Sequence, residues 1–297
     1  MPSEIHIAVS SLTLTGKSPE EIISISQKEN YILEFSSGMP YRKDMEEIFL
    51  SAPVKKLPHN YFPAPEKSFV LNLASMNDEI RNRSIEHCIN GLRLASLANA
   101  PFFSAHAGFC IDPNPSELGK QIKQQVNVDK NKNWKLFFES VKTILKESEK
   151  YKADFLIENN VIAAMNVYED GTNPLFCCDD SEMINLINEI NNPRLGILLD
   201  TGHIKVSSNT LKFSLDACVF KIKPFVKCIH HSDNDGIFDT NQQIDEKYWF
   251  WKYIKGFSGI YPVGNNSYGI YHVLEVKNQT VEQINHQLSL IRNNILN

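Results

Sequence analysis

The chain has 297 residues, of which 42% are hydrophobic and 22% charged, with a formal net charge of -5 and a pI near 6.0. This describes a globular soluble protein with room for one α/β barrel or two ordinary domains, and a core that needs no staples. No Lys/Arg block advertises nucleic acid, no apolar run approaches the ~18 residues of a membrane span, and the opening MPSEIHIAVS lacks the basic and apolar regions of a secretory leader. The six cysteines are scattered without a C-x-x-C pair or zinc-ribbon spacing, which fits reduced thiols in a cytoplasmic protein. The adjacent pair Cys177-Cys178 is the one candidate for a reactive thiol site.

Strand and helix patterns alternate along the whole chain. Short bulky runs read as strands at 5–10, 31–36, 69–74, 102–107, 154–159, 195–200, 226–231 and 270–276. The first helix is signalled by Ser18 at the N-cap, Pro19 at the first helical position and Glu21 completing a capping box. Later helical patterns fall at about 44–51, 78–99, 133–151, 181–191, 209–223, 245–255 and 279–295. Asp180 reads as the cap of the fifth and Pro193 as its stop. Repeated strand–helix units without a composition break predict a single (β/α)8 TIM barrel over residues 1–297. An open doubly wound sheet is less consistent, because the turn after the first strand, SSLTLTG, has no G-x-G-x-x-G. The long connections 108–132 and 160–179 both follow strands and are expected as loops over the C-terminal face.

Four apolar runs end in residues able to bind a metal: FLI-Glu158, ILL-Asp200, CI-His230 and HVL-Glu275. A single one reads as a strand cap or a groove-facing polar group. Several buried carboxylates together carry a penalty of several kcal/mol each, against a domain stability of only about 5–15 kcal/mol. A shared divalent cation is the most direct compensation, and the mixed oxygen/nitrogen set suits one. In a parallel barrel, strand C-termini converge on one mouth. His106 ends the fourth strand, His203 follows Asp200 in DTGH, and His59 in LPHNYF precedes the expected third strand. His230 and His231 are adjacent in a strand, so only one faces the mouth, and periodicity does not choose between them.

The order His59, His106, Glu158, Asp200-x-x-His203, His230-x-x-Asp233 and Glu275 resembles the xylose isomerase-like TIM-barrel superfamily, which includes sugar isomerases, ketose epimerases, inosose dehydratase-type enzymes and endonuclease IV. The resemblance runs from the first strand to Glu275. It implies His230 as the histidine at the mouth, and Glu158, Asp200, His230 and Glu275 as a four-ligand metal site. It further implies His59 and His106, with Glu158, as ligands of a second metal in the endonuclease pattern. His203 matches a third-metal ligand there or a substrate-hydroxyl contact in the epimerases. The endonuclease pattern then requires Asp-x-His, where this chain has Asp239-Thr240-Asn241, which counts against a full three-zinc site.

The activity this implies is a divalent-metal-dependent sugar isomerase or epimerase, with Mn, Mg or Co as the metal and Zn possible. Glu158 and Glu275 would exchange a proton at carbon. His106 and His203 would contact substrate, and Lys205 would meet a phosphate or carboxylate. The expected partner is a small sugar, with nucleic acid disfavoured by the acidic balance. The alternatives are a phosphodiesterase acting on abasic DNA, a sugar or inosose dehydratase sharing the enediolate step, and a barrel that binds sugar without turning it over. The aromatic stretch Tyr248-Trp249-Phe250-Trp251 reads either as a sugar-stacking surface or as packing against the barrel.

Overall fold

The computed structural model describes residues 5–124, 128–257, 260–263 and 266–296. The strands are β1 (His6–Ser10), β2 (Ile32–Phe35), β3 (Lys56–Pro58), β4 (Phe102–His106), β5 (Asp154–Glu158), β6 (Leu195–Asp200), β7 (Val226–His231), β8 (Ile260–Val263), β9 (Asn266–Gly269) and β10 (Tyr271–Leu274). The helices are α1 (Pro19–Glu29), α2 (Met45–Ser51), α3 (Asp78–Leu97), α4 (Lys130–Tyr151), α5 (Asp180–Ile190), α6 (Thr201–Leu211), α7 (Leu215–Ile222), α8 (Trp251–Ile254) and α9 (Val281–Leu296). Eight strands form one parallel sheet in the order β3-β2-β1-β10-β7-β6-β5-β4. The sheet curls until its ends meet at one parallel bridge, His59 to Ser104, where the Asn60 amide donates to the Ser104 carbonyl at 2.7 Å. This is the expected TIM barrel, nearly closed.

Local chemistry accounts for much of the element placement. Ser18 and Glu21 exchange both bonds of the capping box, and Pro19 opens α1. Asp179, one residue before the expected cap, accepts from Ser181 and Glu182 at the start of α5. Gly91 in α3 is required by close approach: a Cβ there would lie 2.4 Å from the Phe103 ring of β4.

Three sequence expectations are corrected. The third strand is Lys56–Pro58, not 69–74. Residues 69–74 are largely buried but carry no ladder, and side chains hold their backbone instead. Asn72 N donates to Ser84 Oγ, while Ser140 Oγ donates to the Leu73 carbonyl and Asn133 Nδ2 to the Ala74 carbonyl. A short apolar run reports burial, and burial here comes without a strand partner. The helix expected at 209–223 is two helices, α6 and α7, and α6 begins directly after Asp200. Only one turn, α8, lies within 245–255. Tyr248 and Phe250 there are buried, with the Tyr248 hydroxyl donating to Thr201, so this stretch is packing.

The antiparallel hairpin β8–β9 was not expected. It lies at the N-terminal end of the barrel, where Tyr261 donates to the Val226 carbonyl and Tyr268 to Asp154. The two long loops lie at the opposite end and dock on each other. Cys110 N donates to the Pro174 carbonyl at 2.7 Å, and Phe176 N to the Gly108 carbonyl at 3.0 Å. A small apolar cluster of Val70, Phe109, Ile111, Ile122, Ile162, Leu175 and Cys178 sits between these loops and the 69–74 segment. Cys177 and Cys178 are buried, and burial pushes both thiols up, so neither has the exposed low-pKa environment of a reactive cysteine. No helix among the described residues is long and apolar enough to cross a membrane.

Candidate metal centre

The strand ends bring four donors together. One ligand atom from each of Glu158, Asp200, His230 and Glu275 lies within 4.8 Å of the others, and all four residues are buried. Parallel register does this: Asp200 stands opposite His230, and the Glu275 amide extends the ladder by donating to the His231 carbonyl. His230 Nδ1 faces the cluster, 2.8 Å from Glu275 Oε2 and 3.9 Å from both Glu158 Oε1 and Asp200 Oδ2. His231 points to the other side of the strand, against His272 and Tyr248.

Asp200 has two roles. Its Oδ1 accepts from His203 N at 2.8 Å and so caps α6, while its Oδ2 is left for the cluster. The DTGH spacing therefore puts a carboxylate at a helix N-terminus and a histidine one turn in. His203 Nδ1 donates to the Asn159 carbonyl at 2.9 Å, which leaves Nε2 3.4 Å from Asp239. Around Glu158 lie His59 Nε2 at 3.4 Å, His106 Nδ1 at 3.4 Å and His203 Nδ1 at 3.5 Å. A second group able to hold a cation is thus His106, Glu158 and His203. Because β3 ends at Pro58, His59 follows the third strand rather than preceding it.

Lys205 stands apart. Its Nζ bonds Asp233 at 2.6 Å and the Asn234 carbonyl at 2.5 Å, and it does not line the cavity that reaches His106 and His203. In this arrangement the ammonium braces the loop after β7.

Glu34 was missed in the sequence. It is fully buried in β2, with Oε2 3.0 Å from His230 Nε2, and it groups with His59 and His230. The only signal was an acid inside the apolar run YILEFS. Asp239, noticed only as part of a motif lacking its histidine, also reaches the site through His203.

The electrostatics are those of crowded buried charges. Burial drives Glu158 well above the carboxylate range and Asp200 up to about 6. Burial also opposes ionisation of Glu275, but the charge and hydrogen bond of His230 outweigh it and hold Glu275 low. His230 and His203 are raised because neighbouring carboxylates overcome the burial that would neutralise them. Burial leaves His59 and His106 below the usual imidazole range. Glu34 Oε1, Glu158 Oε2, Asp200 Oδ2 and His106 Nδ1 are buried without a hydrogen-bond partner. Orphaned carboxylate oxygens beside a neutral imidazole are what a divalent cation satisfies, so these residues fit one.

A family model described as a xylose isomerase-like TIM barrel matches residues 42–255. The chain belongs to the xylose isomerase-like TIM-barrel family. Solved structures with this fold include a D-tagatose 3-epimerase-like protein (16% identity, TM-score 0.68, covering 98% of this chain and 97% of the other). D-psicose 3-epimerase from Clostridium cellulolyticum aligns at 13% identity and TM-score 0.65 over 98% of both chains. Endonuclease IV from Thermus thermophilus aligns at 14% identity and TM-score 0.58, also over 98% of both. At such identities the likeness establishes the fold alone. No curated protein matches the sequence. Family membership and the clustered donors make an enzyme the natural reading of the chain.

Proposed function

We propose that this family member is a divalent-metal-dependent isomerase or epimerase that moves a proton at a carbon next to the carbonyl of a sugar. The observation that carries the reading is the convergence of Glu158, Asp200, His230 and Glu275 from separate strand ends to within 4.8 Å, with a cavity of about 270 Å³ lined by the neighbouring His106 and His203. A divalent cation held by these four (Mn, Mg or Co by the oxygen-rich set, Zn if the extra histidines join) would supply Lewis acidity toward a sugar carbonyl and its neighbouring hydroxyl.

The chain's own groups divide the proton work. Glu275, a carboxylate of the cluster, is suited to take the proton from carbon. Glu158, which ends a different strand of the same cluster, is suited to return one. His203, with Nδ1 fixed on the Asn159 carbonyl, offers Nε2 to orient a hydroxyl. His106, still 27% exposed, is a further contact from the cavity wall. Metal-loaded protein should incorporate solvent deuterium into one or more members of a ketose panel, and Glu158→Gln should abolish it. Absence of exchange across the panel removes the reading.

The imidazoles around Glu158 favour one second reading, a phosphodiesterase with more than one cation. Metal content and cleavage separate the two. Two or three equivalents of zinc with cleavage of an abasic-site oligonucleotide support the phosphodiesterase, and one equivalent of Mn or Co without cleavage supports the isomerase.

A further inference from the structure

The cavity of about 270 Å³ beside the metal centre is lined by two unlike groups of side chains. His106 and His203 mark its polar part. They stand 3.4 Å and 3.5 Å from the Glu158 oxygens, and Asp239 Oδ2 lies 3.4 Å from His203 Nε2. Carboxylates and imidazoles gather here, on the side of the clustered donors.

The other part is the inner face of the docked loops. Phe109, Ile122 and Leu175 line the cavity and pack together in the apolar cluster between the loops. Asn166 accepts from Ile122 N at 2.8 Å, which brings Met165 to the same wall. Val161, next to Ile162 of the cluster, adds to it. The amide nitrogens in this region are turned to backbone. Asn160 Nδ2 donates to the carbonyls of Gly108 and Phe176, and Asn166 Nδ2 to that of Lys120. At the rim, Leu118 and Phe238 stay 37% and 47% exposed. Large apolar side chains left open beside a cavity suit an apolar group on the ligand.

A sugar with a hydroxyl on every carbon would press some of them against this wall. A hydroxyl that leaves water without gaining a partner is disfavoured, whereas a methyl group gains by leaving water. We propose that the substrate is a terminal-deoxy ketose. Its carbonyl end lies toward His106, His203 and the metal centre, and the methyl group at its far end packs on Phe109, Val161 and Met165. The carbonyl and the neighbouring hydroxyl stay available, so this narrows the substrate of the proton-transfer reading and rests on that reading.

The test offers full-length, metal-loaded protein the ketohexoses psicose, fructose, tagatose and sorbose, in both enantiomers, each beside its 6-deoxy counterpart. Solvent-deuterium incorporation and calorimetric affinity are measured for every pair. In at least one pair the 6-deoxy sugar should exchange with about ten-fold higher kcat/KM and bind about ten-fold tighter. Val161→Thr keeps the shape of the wall and adds a hydroxyl to it, and should reduce that preference to about three-fold or less. Met165→Gln, on a partly exposed stretch of the same wall, should act in the same direction and serves if the first variant melts early. Exchange in the ketohexoses that equals or exceeds that of their 6-deoxy partners overturns the deoxy assignment and leaves the proton transfer standing. Tighter binding of 6-deoxy sugars without exchange removes the proton transfer and keeps the apolar wall as the reader of the methyl end. No binding and no exchange across the panel, or a preference that both variants leave untouched, overturns the proposal.

Discussion

His230 is held from both ends. Nδ1 faces Glu275 and the quartet, while Nε2 sits 3.0 Å from Glu34. An acceptor at Nε2 keeps the proton there and leaves the Nδ1 lone pair for a cation, the carboxylate–histidine arrangement that orients metal ligands. Glu34→Ala should weaken metal affinity about 10–100-fold, measured by chelator competition. The metal-free melting temperature should change far less, because a buried acid is lost along with its repulsions; unchanged metal affinity would remove Glu34 from this role. The same site has a predictable pH response. Asp200, raised from 3.8 to about 6, and Glu158, also raised, bind more protons folded than unfolded, so each withdraws stability from the metal-free protein as pH rises through that window, while the buried imidazoles held low, His59, His87, His106, His231 and His272, add it. A cation requires Asp200, Glu158 and His230 deprotonated, so its stabilising effect should grow from pH 5 to pH 8. Melting curves with and without metal read this directly, and a metal-induced shift larger at pH 5 would contradict it. The quartet was legible in the sequence because each member ends an apolar run. Glu34 was not, because it lies inside its strand and looks like an outward-facing residue until its partner is known.

At the level of elements, one asparagine latches the loops of the mouth. Asn72 Nδ2 donates to the Ile111 carbonyl and to Asp112, both at 2.8 Å, and its Oδ1 accepts from Phe109 N at 2.8 Å and Ala74 N at 3.0 Å. A buried amide with both ends satisfied joins the β3–α3 segment to the loop after β4. Asn72→Ala leaves those backbone groups unpaired and should cost about 3 kcal/mol, seen as a lower denaturation midpoint. Hydrogen exchange at Phe109 should accelerate with it, and retained protection there would show that the apolar cluster alone holds the loop. This latch also explains why FVLNLA was misread as a strand. Its apolar residues are buried as a strand's would be, but its backbone bonds go to Asn, Ser and other side chains, which no periodicity records. The true third strand has only Lys56, Leu57 and Pro58, too short and too mixed to stand out. The start of α6 was hidden for a related reason. TGHIKVSS begins a helix whose first turn faces the site, so its buried side is polar and the usual apolar stripe is missing.

Across the whole molecule, the barrel has one weak seam. Neighbouring strands from β3 round to β4 are joined by parallel ladders, whereas β4 and β3 meet through the single bridge at His59 and Ser104. Two bonds close it: Asn60 N to the Ser104 carbonyl, and His59 Nδ1 with Ser104 Oγ at 2.8 Å. Fewer backbone bonds mean a lower free energy of local opening, so the Asn60 amide should exchange faster than those of β5 and β6. The seam is also tied to the chemistry, because His59 presents Nε2 to Glu158 of β5 at 3.4 Å. A cation that engages both residues would bind the closed barrel better than the opened one and would shift the population toward closure. Divalent metal should therefore slow exchange in residues 56–62, and His59→Ala should abolish that slowing while leaving metal protection of the β6 and β7 ends in place. Equal slowing in the variant would mean that the quartet alone closes the barrel, with His59 serving only the bond to Ser104.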